Sequence, residues 1–232
     1  MVIGSLRSVR EAQPLSQTLA WLTCFLSAWF SRPLLLAFLM LTVPVGASAQ
    51  ASEEPISLVV VLDATSSMAG RMDEARKALM DLIRASSPQS ESALVVIHDE
   101  PQVAVHLGES GGEIERVART VQADGFGTMW DGIYLGLKAL QNSRCHKKAM
   151  VVISDDGDNY GRHTPSELTA LLKKSGVRVY AIGTFDRYAN RFQARMRVLQ
   201  IDQAISPTGG RMVPADDFSC AADQVSRELR HQ

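Results

Sequence analysis

Along this chain, continuous apolar runs alternate with apolar residues at helical spacing. Leu58 to Leu62 are five apolar residues in a row and read as a strand covered on both faces. Met72, Ala75, Leu79, Leu82 and Ile83 then recur at the spacing of one helix face. Ala93 to Ile97 and Gln102 to Leu107 read as strands joined through Asp99-Glu100-Pro101. So short a link makes an antiparallel hairpin and not a parallel crossover. Ile114, Val117, Ala118 and Val121 predict a helix, and Ile133, Gly136, Leu137 and Leu140 another. Met150 to Ile153 is a second central strand. Thr164-Pro165-Ser166-Glu167 is a capping box with proline at the first helical position. It opens a helix with Leu168, Leu171 and Leu172 inward. Val177 to Ile182 is a strand, residues 186–205 contain a less regular helix, and Gly209 to Val213 give a turn and a short edge strand. Phe218, Ala221, Val225 and Leu229 form a closing helix.

This alternation predicts an α/β fold: a doubly wound, Rossmann-like α/β/α sandwich around a mostly parallel sheet. Ligands in such sheets lie beyond the carboxyl ends of the strands, at the switch point of the topology. Asp63 ends the first strand and Asp155 ends the one at Met150 to Ile153. Thr65 and Ser67 follow Asp63 at spacings of two and four, and Gly125-Phe126-Gly127-Thr128 is a glycine-rich loop that presents Thr128 ahead of a helix. Carboxylates and hydroxyls are hard oxygen donors, suited to Mg²⁺, Ca²⁺ or Mn²⁺. Without a metal, the first cluster reads as a Ser/Thr turn that caps a helix.

Taken together, these three stretches resemble the von Willebrand factor type A domain over roughly residues 54–230, and within it the VWFA-related group of exported bacterial proteins. The family's metal-ion-dependent adhesion site is written D-x-S-x-S, then a distant Thr, then a distant Asp at a strand end. The resemblance implies a site of Asp63, Thr65, Ser67, Thr128 and Asp155. It also implies a six-stranded sheet of order 3-2-1-4-5-6, mostly parallel with one antiparallel edge strand. Thr65 stands where the family has Ser, which keeps the oxygen and crowds it with a methyl group. Asp156 stands beside Asp155 as the alternative carboxylate. The implied cofactor is Mg²⁺, with Mn²⁺ or Ca²⁺ as alternatives. The implied partner is a protein presenting Asp or Glu, captured without chemistry by a monomeric domain that takes neither nucleic acid nor a small-molecule substrate. Phe126, Met129, Trp130, Asp156 and Tyr160 are candidates for the partner-binding rim. The alternatives are a metal-free scaffold for envelope assembly and a metal-dependent hydrolase. A phosphatase of the dehalogenase type is disfavoured because Thr65 occupies the position of its second Asp.

The first fifty residues belong to another class. Two apolar runs, Leu19 to Phe30 and Leu34 to Val45, flank Ser31-Arg32-Pro33, and Ala47-Ser48-Ala49 gives small residues at the exit. This reads as a signal peptide over 1–49, a short linker over 50–56 and the folded domain over 57–232. The expected location is periplasmic or secreted, or anchored to the membrane if the leader is not cleaved. The chain has 232 residues, 46% hydrophobic and 21% charged, with a formal net charge of −1, and nothing in that balance favours nucleic acid. Removal of the leader takes Cys24 and leaves Cys145 and Cys220. Export favours a disulfide. The fold expectation opposes it: Cys145 precedes a strand at the bottom of the sheet and Cys220 opens the last helix at the top, about 20 Å apart, so two free thiols are expected.

Overall fold

The computed structural model describes residues 54–155, 161–184 and 191–231. The chain divides into Met1–Ser52 and Glu53–Gln232, and the described residues all belong to the second unit. Its strands are β1 (Ile56–Asp63), β2 (Glu91–Ile97), β3 (Pro101–Val105), β4 (Lys147–Ile153), β5 (Arg178–Gly183) and β6 (Met212–Pro214). Its helices are α1 (Met72–Arg84), α2 (Gly111–Thr120), α3 (Met129–Ala139), α4 (Pro165–Ser175), α5 (Arg191–Ile205) and α6 (Phe218–Arg230).

The six strands form one sheet of order β3-β2-β1-β4-β5-β6, parallel throughout except for the β2–β3 hairpin. Alternation along β1 divides the interior. Leu58, Val60 and Leu62 face one core with Leu79 and Leu82 of α1, Ile114 of α2 and Phe218 and Val225 of α6. Val59 and Val61 face the other, with Ile133 of α3, Leu168 and Leu172 of α4 and Ile201 of α5. A fully covered Leu or Val side chain contributes about 1.5–3 kcal/mol, so the apolar run of β1 fixes the middle layer. Polar groups cap the helices around it. Thr164 and Glu167 close the capping box at the start of α4, and Gly176, with φ +68°, ends that helix in the left-handed conformation.

At the amino-terminal edge of the sheet a buried carboxylate is fully occupied. Glu91 accepts from the Ser57 hydroxyl at 2.6 Å, from the Arg144 amide at 2.6 Å and from Arg144 Nε at 3.0 Å. The Cys145 amide in turn donates to Ser57 Oγ at 3.3 Å. Burial pushes the Glu91 carboxyl up, but the donors from Ser57 and Arg144 and the guanidinium charge outweigh it and hold the carboxyl below the usual range. Cys145 is half-buried and Cys220, in the first turn of α6, is exposed; both are free thiols. Among the described residues no helix is long and apolar enough to cross a membrane.

Candidate functional site

The parallel pairing of β1 with β2 and β4 sets Asp63 opposite Ile97 and Leu62 opposite Ile153. The tips of β1 and β4 therefore stand side by side where their connections diverge. Asp63, Thr65 and Asp155 are all buried there. Asp63 Oδ1 accepts from the Thr65 amide at 2.9 Å and from its hydroxyl at 2.7 Å. Thr65 Oγ1 lies 3.1 Å from Ser67 Oγ, and Ser67 donates to Asp155 Oδ1 at 2.8 Å. Each hydroxyl gives its single proton to a carboxylate, so the two hydroxyl oxygens face each other at 3.1 Å with no proton between them, and a run of close oxygens joins Asp63 to Asp155 across the 88 positions of sequence between Ser67 and Asp155.

The fifth residue, Thr128, reaches this end of the sheet through its loop. The Asp124 amide donates to the Ala64 carbonyl at 2.7 Å, and the Ser66 amide donates to the Gly125 carbonyl at 3.0 Å. The Thr128 hydroxyl accepts from the Asp131 amide at 3.2 Å and so caps α3. Glycine is required in this loop. Gly125 has φ +84°, and a Cβ on Gly127 would fall 2.1 Å from the His98 carbonyl oxygen.

Three contributors carry no spacing signal. Ser154 donates to Asp63 Oδ2 at 2.5 Å, so both oxygens of that carboxylate are engaged. A hydroxyl one residue before the expected Asp155 was the available hint. Asp131 accepts from the Arg162 amide at 3.0 Å, the His163 amide at 3.1 Å and contacts His163 Nδ1 at 2.6 Å. Burial pushes its carboxyl up, and these donors together bring it below the usual range. Arg71 is buried beside the turn that bears Ser67. Its guanidinium donates to Thr184 Oγ1 and to the Asp216 carbonyl, both at 2.5 Å, and lies 4.2 Å from the centre of the Phe218 ring.

The expected rim divides. Phe126 is 87% exposed. Met129 and Trp130 are instead 2% and 3% exposed, packed in the core cluster that holds Val61 and Ile97. The first turn of α3 points them under the loop, where their apolar area is covered. Asp156 and Tyr160 lie outside the described residues. His98 is a strand-end residue whose carbonyl accepts from the Gly127 amide at 2.5 Å.

Burial is the largest influence on Asp63 and raises its pKa, with the nearby Asp155 acting in the same direction. The donors from Ser154 and Thr65 oppose this without cancelling it. Every donor atom in this cluster is a carboxylate or hydroxyl oxygen. Buried negative charge met by neutral donors fits a hard divalent cation. Among the described residues there is no group of three or more His, Cys, Asp or Glu side chains arranged for a metal.

The family model of the von Willebrand factor type A domain matches residues 57–227. Comparison with curated protein sequences finds no match. Solved structures share the fold at low identity. An aerotolerance-related membrane protein from Bacteroides fragilis superposes with a TM-score of 0.60 at 14% identity, over 76% of this chain and 100% of that one. The vWF domain of the type V pili tip protein Mfa5 from Porphyromonas gingivalis gives 0.59 at 12% identity, over 77% and 96%. The PilB minor pilin from Streptococcus sanguinis gives 0.59 at 15% identity, over 77% of this chain and 62% of the pilin. With the family model spanning β1 to α6 and the same fold recurring in these proteins, the chain belongs to the von Willebrand factor type A domain family, whose members typically mediate protein interactions.

Proposed function

We propose that this chain is an exported, metal-dependent protein-binding module. A divalent cation, Mg²⁺ or alternatively Mn²⁺ or Ca²⁺, would be held by Asp63, Thr65, Ser67, Thr128 and Asp155. Bound there, it supplies a Lewis-acidic position that an Asp or Glu carboxylate of a partner protein completes. The observation that carries this reading is the convergence of hard oxygens from Asp63, Thr65, Ser67 and Asp155 within contact distance of one another, around a buried carboxylate with a raised pKa. The protein's own residues have distinct tasks. Asp63 orients the Thr65 hydroxyl, Asp155 that of Ser67, Ser154 fixes the second oxygen of Asp63, and the loop tied to Ala64 and Ser66 would supply the last hydroxyl from Thr128. The role is binding and not catalysis. Pilus-tip and pilin proteins with this fold, together with the leader-like residues 1–49, support an envelope or secreted location.

A second reading has its own support. Both oxygens of Asp63 and the Thr65 hydroxyl are already satisfied within the chain, which suits a metal-free scaffold. Thermal unfolding separates the two. Mg²⁺ or Mn²⁺ at a hundred times its dissociation constant is expected to add about 2.7 kcal/mol, or roughly 5–10 °C for a domain of this size. Asp63→Ala is expected to abolish that gain. A wild-type melting temperature that is the same in Mg²⁺, Mn²⁺, Ca²⁺ and EDTA would establish the scaffold instead.

A further inference from the structure

The most exposed large apolar side chain among the described residues stands in the loop that leads to Thr128, on backbone tied down by hydrogen bonds. The Phe126 ring is 87% exposed. A lone exposed apolar residue is ordinary on a protein surface. What is unusual here is the mounting. The Asp124 amide donates to the Ala64 carbonyl, the Gly125 amide to Asp124 Oδ1 at 2.8 Å, the Phe126 amide to Asp99 Oδ1 at 3.0 Å and the Gly127 amide to the His98 carbonyl. Four consecutive amides are therefore engaged. The loop lies flat on the end of β2: a Cβ on Gly125 would fall 2.6 Å from the Asp99 nitrogen, and one on Gly127 even closer to His98. Phe126 is the one side chain that can project between these glycines.

The same loop is welded to the site. The Gly125 carbonyl accepts from the amide of Ser66, the residue between the Thr65 and Ser67 hydroxyls. Thr128 follows Phe126 by two positions. With the backbone tied down, only the two side-chain torsions of Phe126 remain to be ordered when a partner covers the ring, which suits an interface anchor.

We infer that Phe126 is a specificity-determining contact for the partner of this site, and that the partner presents an acidic residue with an apolar side chain close beside it. The inference rests on the metal-dependent reading above and adds the second half of the recognised feature. Covering even part of a phenyl ring is worth about tenfold in affinity.

Two synthetic peptides test it against the purified full chain. In one, a single Asp is flanked by Gly and Ser only; in the other, the same Asp is flanked by Leu and Phe. In Mg²⁺ the apolar-flanked peptide is expected to bind about tenfold more tightly. That ratio is expected to fall towards one in Phe126→Ala and to be kept in Phe126→Trp. Because the ring is exposed, Phe126→Ala should unfold at the wild-type temperature, which separates lost contact from lost fold. A ratio of one in the wild type, with both peptides released by EDTA, overturns the role of Phe126 and leaves the metal reading standing. Binding of neither peptide in Mg²⁺ overturns both. Binding of the apolar-flanked peptide that is indifferent to EDTA but lost in Phe126→Ala overturns the coupling of the ring to the metal site.

Discussion

The two ends of the sheet each bury a carboxylate, and they solve the electrostatic problem in opposite ways. At the amino-terminal end, Glu91 is 6% exposed as a residue and lies against the guanidinium of Arg144, whose charge, with the donors from Ser57 and the Arg144 amide, keeps the carboxyl ionised. At the carboxyl end, Asp63 has hydroxyls and one amide for company and a second carboxylate nearby, and its pKa moves the other way. Glu91 is complete within the chain. Asp63 is held by neutral donors, and in the proposed reading a bound cation supplies the compensating charge. Burial alone thus does not fix the direction in which a carboxyl's pKa moves; the sign of its neighbours does.

That contrast can be broken by substitution. Glu91→Ala strips the acceptor from the Ser57 hydroxyl and the Arg144 amide and is expected to cost about 2 kcal/mol in any buffer, metal or none, measured by denaturant unfolding. Asp63→Asn keeps the shape and removes the charge. Because folding raises the pKa of Asp63, the ionised group opposes the fold at neutral pH, so in EDTA this variant is expected to be more stable than wild type. In Mg²⁺ the order should reverse, with wild type the more stable. A variant less stable than wild type in both buffers would erase the proposed difference between the two ends. The smallest effect is in acid. The folded-state pKa of Glu91 is lowered, so its contribution is fully present above the unfolded value near 4.3 and is lost as pH falls through the folded value below that. The stability gap between wild type and Glu91→Gln should therefore narrow below about pH 4, in unfolding curves taken at stepped pH.

Much of this architecture is readable from local pattern, because a strand covered on both faces must be apolar at every position, as Leu58 to Leu62 are. The switch point then brings Asp63 and Asp155 together whatever the intervening chain does. The failures are local to polar residues with distant partners. β2 begins at Glu91, two residues before its apolar run, because Glu91 is buried by contacts made 34 and 53 positions away. Ser154 is one more hydroxyl until β4 lies beside β1. Helix α5 gave a weak periodic signal for another reason. Ile201, Ala204 and Ile205 face the core while Phe192, Met196 and Leu199 are exposed, so apolar residues surround the helix and no single stripe stands out. Trp130 was ambiguous because an aromatic after a glycine-rich loop packs or projects according to the helix's rotation, which spacing does not give.

Arg71 gives the domain a mechanical seam. One planar cation, four residues beyond Ser67, reaches the strand-end hydroxyl of Thr184, the carbonyl of Asp216 and the face of Phe218. Shortening the polypeptide to stop before Asp216 would uncover that cation and remove two of its three tertiary attachments, leaving Thr184 and the neighbouring Glu74 carboxylate. The damage would surface far away in sequence, in the turn that carries Ser67, so the tail of this protein cannot be trimmed without disturbing its front.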